Sequence, residues 1–246
     1  IFRGLKKGVG KMKRKMLGMF LATVLMFGTF DVTYGATIEN TVTTQSTSTT
    51  IVKSGECGEN VTYTLDSNGL LKISGSGNMN DYYIGNSPFY LNKDIKEIVI
   101  GDGVTSIGDC AFWGCSSLTS IEIPDGVTSI GMSVFDSCSS LTSIEIPVGV
   151  TSLKDFVFYG CNSLTSITIP EGLTSIDCGA FQNCSSLTSI AIPAGVTSIG
   201  SSAFESCSSL SSIAILAGVT SIGESAFKDC SNLNTIYCYK NSTADK

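Results

Sequence analysis

The chain has 246 residues, 42% of them hydrophobic, with 26 glycines and only five prolines, so it can bury a core and is neither collagen-like nor a proline-rich disordered chain. It contains no histidine, which excludes Ser-His-Asp and Cys-His catalysis, histidine-ligated zinc and histidine pH switching. Arg3, Lys6, Lys7, Lys11, Lys13, Arg14 and Lys15 fall in the first 36 residues; the remainder carries eight basic against twenty acidic side chains, a charge of about −12 that repels phosphate backbones and argues against nucleic-acid binding.

From the N-terminus, Lys11 to Lys15 forms a basic stretch, Met16 to Phe30 is apolar with small interruptions, and Thr33, Gly35 and Ala36 are small. That order predicts a secretory signal region over 1–36, cleaved after Gly35 or Ala36, with Met12 opening a better-proportioned signal than Ile1. A membrane anchor is the alternative, but the apolar run is shorter than the roughly 20 residues a spanning helix needs, so no stable span is expected after cleavage. Residues 37–55 are dense in Thr and Ser and lack aromatic residues and periodicity, which predicts a flexible linker, serving either as a stalk or as a loose mature N-terminus.

Residues 56–97 read as an N-terminal cap module. Val61-Thr-Tyr63-Thr-Leu65 alternates, Asp66-Ser-Asn-Gly69 is a turn signal, and Leu70-Leu-Lys-Ile73 is a second strand, so a β-hairpin is expected. Ser87 to Leu91 predicts a short helical corner, and Ile95 to Ile100 the first strand of a repeat region.

A strict 23-residue period dominates that region. Phe112, Phe135, Phe158, Phe181, Phe204 and Phe227 recur at that spacing, with Cys115, Cys138, Cys161, Cys184, Cys207 and Cys230 and with Leu118, Leu141, Leu164, Leu187, Leu210 and Leu233. In one unit, Ile121 and Ile123 lie on one face of a short strand and Glu122 on the other. Pro124 ends the strand, Asp125-Gly126 turns the chain, and Ser133 to Cys138 fits one helical turn. No single unit can bury its own apolar wedge, so successive units must stack, with parallel strands about 4.8 Å apart. The expected fold over 98–238 is an α/β-type repeat solenoid of 23-residue coils, six complete and one partial, made mostly of short parallel β-strands with short helical corners and ending in a tail at 239–246.

Leu118–Ser140 and Leu187–Ser209 carry the pattern L-x-x-I-x-I-P-x-G-V-T-S-I-G-x-x-A-F-x-x-C-x-S nearly intact. This resembles the BspA-like, treponemal-type leucine-rich repeat of bacterial surface and secreted proteins, and Ser54 to Gly58 with Leu65 to Leu70 is similar to the leader module of such proteins. The resemblance implies a secreted or surface-exposed leucine-rich-repeat protein that mediates interaction or adhesion with host or neighbouring cells. Three departures interrupt the pattern: Gly101 and Leu216 stand where Pro ends the strand, Lys154-Asp155-Phe156-Val157 replaces Gly-x-x-Ala, and Asp177-Cys178-Gly179 alters the same slot.

Ten cysteines in an exported chain invite a disulfide framework, but six occupy one stacked position whose parallel Cβ vectors suit the disulfide torsion poorly; they read as small buried thiols, not as bridges or zinc ligands. Off this ladder, Cys57 and Cys110 are a candidate clamp, and Cys178 and Cys238 stand apart. Glu122 and Glu145 are expected side by side, like the carboxylates of a retaining glycosidase, yet Thr168, Ala191 and Ala214 fill the same slot, so a solvated pair is the expectation. No catalytic, metal or cofactor residue is predicted, and the chain is not expected to be an enzyme. The candidate interaction face is the polar strand face: Thr119, Ser120, Glu122, Thr142, Ser143, Glu145, Thr165, Ser166, Thr168, Thr188 and Ser189. The expected partner is a protein, with a glycan as the second choice; the rival function is a structural spacer or surface-coat component, and an exported hydrolase is the remote one. Trp113 and Tyr159, on the corner beside the core Phe, are secondary contact candidates. Asn60-Val-Thr62 and Asn241-Ser-Thr243 match a glycosylation pattern relevant only to a eukaryotic source.

Overall fold

The computed structural model describes residues 49–238. The expected export region 1–36, residues 37–48 of the expected linker and the 239–246 tail with Asn241 lie outside the described residues. Four strands open the fold: β1 (Ile51–Gly58), β2 (Val61–Asp66), β3 (Leu70–Gly75) and β4 (Gly77–Asn78). The expected hairpin is β2 and β3, which are antiparallel with Tyr63 opposite Ile73. Its turn is held by Asp66, whose Oδ1 accepts from the N–H groups of Asn68 and Leu70, and by Gly69, whose φ of 93° favours glycine. β1 begins inside the segment read as linker and pairs antiparallel with β2, so residues 51–55 are strand. Ile51 to Ser54 are exposed: the backbone ladder holds them, not burial, and a strand without a buried face leaves no hydrophobic alternation to read.

The coils are added in parallel. β5 (Glu97–Ile100) pairs with β3, and β7 (Ser120–Glu122) with β5. Further along this row, β9 (Ser143–Glu145) pairs with β11 (Ser166–Thr168) and β14 (Ser212–Ile215) with β16 (Thr235–Cys238), all in 23-residue register. A second row carries one short strand per coil: β6 (Val104–Ile107) and β8 (Ser129–Ile130) after β4, then β10 (Ser152–Leu153), β12 (Ser175–Ile176), β13 (Ser198–Ile199) and β15 (Ser221–Ile222). This second row breaks once, between β8 and β10. In most coils Gly follows the strand, and a Cβ on Gly131 or Gly200 would meet the preceding coil at 2.3 and 2.5 Å. Lys154 occupies that slot in the coil of β10, where the row breaks, and Asp177 in the coil of β12, which nevertheless pairs with both β10 and β13.

The expected helical corners are not helices. In each corner the residues at two slots take the left-handed region, Ser133 (φ 52°) and Ser137 (φ 60°) in one coil, Ser202 and Ser206 in another. Left-handed residues every fourth position cannot propagate a right-handed helix. The corner N–H groups instead donate to the next coil, Ser133 to Asp155 O and Phe135 to Val157 O, both at 2.9 Å.

Inside, the phenylalanines stack. Phe135 faces Phe158 at 5.5 Å with the rings 3° from parallel, and Phe158 faces Phe181 at 5.4 Å. The stack extends one coil earlier than the period analysis placed it, to Phe89, and Tyr63 of the hairpin closes it edge-on at 4.8 Å. The ladder cysteines are free thiols, and each donates to the Phe carbonyl of the preceding coil, Cys138 to Phe112 O at 3.3 Å and Cys161 to Phe135 O at 3.1 Å. Cys57 and Cys110 are both buried and unbridged.

Candidate functional site

The eleven residues of the predicted strand face are all exposed, on or just before β7, β9 and β11 and in the matching stretch at Thr188 and Ser189. Three of their nine hydroxyls are taken up by the fold itself. Thr119, Thr142 and Thr165 donate to the carbonyls of Lys96, Thr119 and Thr142, one coil back. Glu122 and Glu145 border a shallow depression of about 270 Å³ with Pro147 and Val148. The face is flat, and among the described residues no three acidic or thiol side chains gather as a metal site.

The larger concavity lies on the corner side. A groove of about 840 Å³ runs across the coils at Cys110, Ser133 and Phe156. The slot after each core Phe supplies its floor: Trp113, Asp136 and Tyr159 lie one repeat apart. Tyr82, Tyr83 and Ile84, from the loop after β4, form one wall. Tyr83 is 84% exposed, Ile84 61% and Met132 45%, so apolar surface collects here that a solitary solenoid has no reason to leave wet.

Phe156 is the least regular residue of the groove. It stands at a left-handed slot (φ 56°) where other coils place Ser133, Ser202, Ser225 or Gly179. A bulky residue there costs of order 1–3 kcal/mol, and such strain clusters at binding sites. Its ring stays 36% exposed, meets Tyr159 edge-on at 6.1 Å, and lies where a Cβ on Gly179 would approach it at 2.4 Å. The Lys154–Val157 departure thus lies at the break in the second row and presents an aromatic ring to the groove.

The groove is acidic. Asp81, Asp109 and Asp136 line it, and among the described residues the only salt bridges are those of Lys228 with Glu205 and Asp229, outside it. Burial, followed by the charges of Asp109, Asp136 and Asp81, holds the Cys110 thiol above its ordinary pKa. Asp136 is only 6% exposed, and burial raises its pKa although Ser137 Oγ donates to Oδ1 at 2.7 Å. A carboxyl whose folded pKa is raised favours the fold most at low pH and loses that contribution as pH rises through the folded value. Asp136→Asn keeps an acceptor for Ser137 and removes the desolvated charge. Its thermal midpoint is expected to exceed the parent's at pH 7, with the gap closing in acid; a midpoint lowered at pH 7 contradicts this.

Sequence reasoning singled out Trp113, Tyr159 and the Phe156 departure separately. It missed the Tyr82-Tyr83-Ile84 wall, whose signal is three large residues inside the otherwise polar and glycine stretch 80–87.

The sequence profile of the BspA type leucine rich repeat region matches residues 82–177 and 151–244, with six copies. No curated protein sequence matches the chain. Among solved structures, a leucine-rich repeat protein from Bacteroides ovatus is 28% identical with a TM-score of 0.53, covering 75% of this chain and 53% of its own, so this chain spans about half the length of that protein. A leucine rich repeat protein of T. pallidum is 26% identical (TM-score 0.43, 74% and 82% covered). A leucine rich cell surface protein from Faecalibacterium prausnitzii is 22% identical (TM-score 0.40, 75% and 76% covered). With the repeat profile spanning more than half the chain over coils of the expected register, the protein belongs to the BspA-type leucine-rich-repeat family.

Proposed function

We propose that this chain is an exported, secreted or surface-displayed binding protein that holds a protein ligand by adhesion and performs no catalytic step. The observation that carries this reading is the groove: the coil that departs most from the repeat places a strained, exposed Phe156 beside Trp113 and Tyr159. Aromatic anchors in a concavity are the usual source of interface energy. The basic and apolar order before residue 36 supports export, and among the described residues no helix is long and apolar enough to cross a membrane.

The test is a pull-down of host extracellular-matrix and producer-envelope proteins by the parent, by Trp113→Ala/Tyr159→Ala, and by a strand-face variant, Thr142→Lys/Thr165→Lys. Saturable binding lost at least tenfold in the first variant and kept in the second supports the groove, since aromatic hot spots typically contribute 2 kcal/mol or more. Loss only in the second variant assigns the ligand to Thr119 through Ser189 on the strand face. A spacer role is the second reading, favoured by the hydroxyls of Thr119, Thr142 and Thr165 being committed to intercoil bonds. A stable fold that binds nothing in either pool supports it.

A further inference from the structure

We propose that the groove is built for a basic peptide segment, an arginine or lysine side chain of the partner entering between the aromatic rings and the three carboxylates. This rests on the binding function above and names the chemistry of its ligand. Four observations support it together. Trp113, Tyr83 and Tyr159 line the groove, and such rings attract a cation that lies over their faces. Asp81, Asp109 and Asp136 line the same groove, and no lysine or arginine does. Among the described residues Asp136 is buried with Ser137 Oγ as a side-chain donor but no cationic partner, and a buried carboxylate is stabilised when a cation pairs it. The acidic lining also continues outward: an adjoining concavity shares Asp81, Asp109 and Met132 and adds Asp155 and Asp177, with Lys154 as its only base.

A glycan fits less well. Ser133, the tyrosine hydroxyls and the Trp113 N–H could donate to sugar hydroxyls, but a neutral glycan brings no charge to offset the three aspartates. A basic peptide supplies donors and charge alike, and its aliphatic stem can lie on Phe156 and Met132.

Trp113 is the single tryptophan and lies in the groove, so its fluorescence reports occupancy there alone. The probe is the full chain titrated with the blocked tripeptide acetyl-Arg-Leu-Arg-amide and with the same peptide carrying citrulline, a neutral isostere, for each arginine. Expected are a saturable Trp113 signal with the arginine peptide, at least tenfold weaker binding with citrulline, and at least fivefold weaker binding to Asp136→Asn and to Asp109→Asn with their thermal transitions retained. Equal affinity for the two peptides, or unchanged binding in both variants, overturns the proposal. So does a saturable Trp113 response to a neutral oligosaccharide but not to the arginine peptide. If the pull-down depends on Trp113 and Tyr159 while arginine and citrulline peptides bind alike, the cation chemistry is wrong and the groove's binding role stands. If neither gives binding, the function itself fails.

Discussion

Phe158→Ala is expected to lower stability by about 3–5 kcal/mol, the cost of emptying a fully buried aromatic site. Phe158 has no exposed surface and lies mid-stack between Phe135 and Phe181. Solenoid coils contact only their neighbours, so the loss weakens both interfaces of one coil. Two probes should then separate in urea. Trp113 fluorescence follows the leader-side coils, and far-ultraviolet circular dichroism follows the whole chain. In the parent the two transitions should coincide; in the variant they should part. Phe227, only partly buried and paired on one side with Phe204, should cost less when replaced by alanine. A Phe158→Ala loss below about 1 kcal/mol, or one matched by Phe227→Ala, contradicts the view that the stack holds the coils together.

Cys161→Ala is expected to cost about 1–2 kcal/mol, since it removes the thiol donor to the Phe135 carbonyl, which keeps only the Cys138 N–H, and opens a small cavity. Cys178→Ala, half-exposed and off the ladder, should stay within about 0.5 kcal/mol of the parent. The same burial makes the ladder thiols chemically quiet. Burial pushes the pKa of Cys115 and Cys207 up to about 12 and that of Cys138, Cys161 and Cys184 well above the ordinary value. The thiolate is the reactive form. Alkylation at about pH 8 should therefore spare these five in the native protein and reach them only as urea unfolds it. Rapid native labelling of Cys161 would refute the buried ladder.

The repeat was legible because its cause is periodic: a Phe, a Cys and a Leu every 23 residues can share one core only by stacking. What escaped was whatever the period does not encode. Ser133 and Ser137 carry no sign of their left-handed conformation, so a corner with helical spacing reads as a helix. The thiols read as apolar filler because their acceptor, a Phe carbonyl, lies 26 residues back. The groove was half visible. Trp113, Asp136 and Tyr159 fall in one slot and could be placed together by counting, but the Tyr82–Ile84 wall comes from a loop outside the period. The strand face reads from the residues only as polar; the intercoil bonds of Thr119, Thr142 and Thr165 appear only when carbonyls of the neighbouring coil are in place.

The central claim is that binding belongs to the groove made by the irregular coil and not to the regular strand face. A photo-crosslinking phenylalanine at position 156, compared with one at position 142, tests it most directly. Each protein is irradiated with the matrix and envelope proteins of the pull-down, with and without excess acetyl-Arg-Leu-Arg-amide. The expected result is a discrete product from position 156 that the peptide suppresses, with none from position 142. A product from position 142, or equal products from both, contradicts the account.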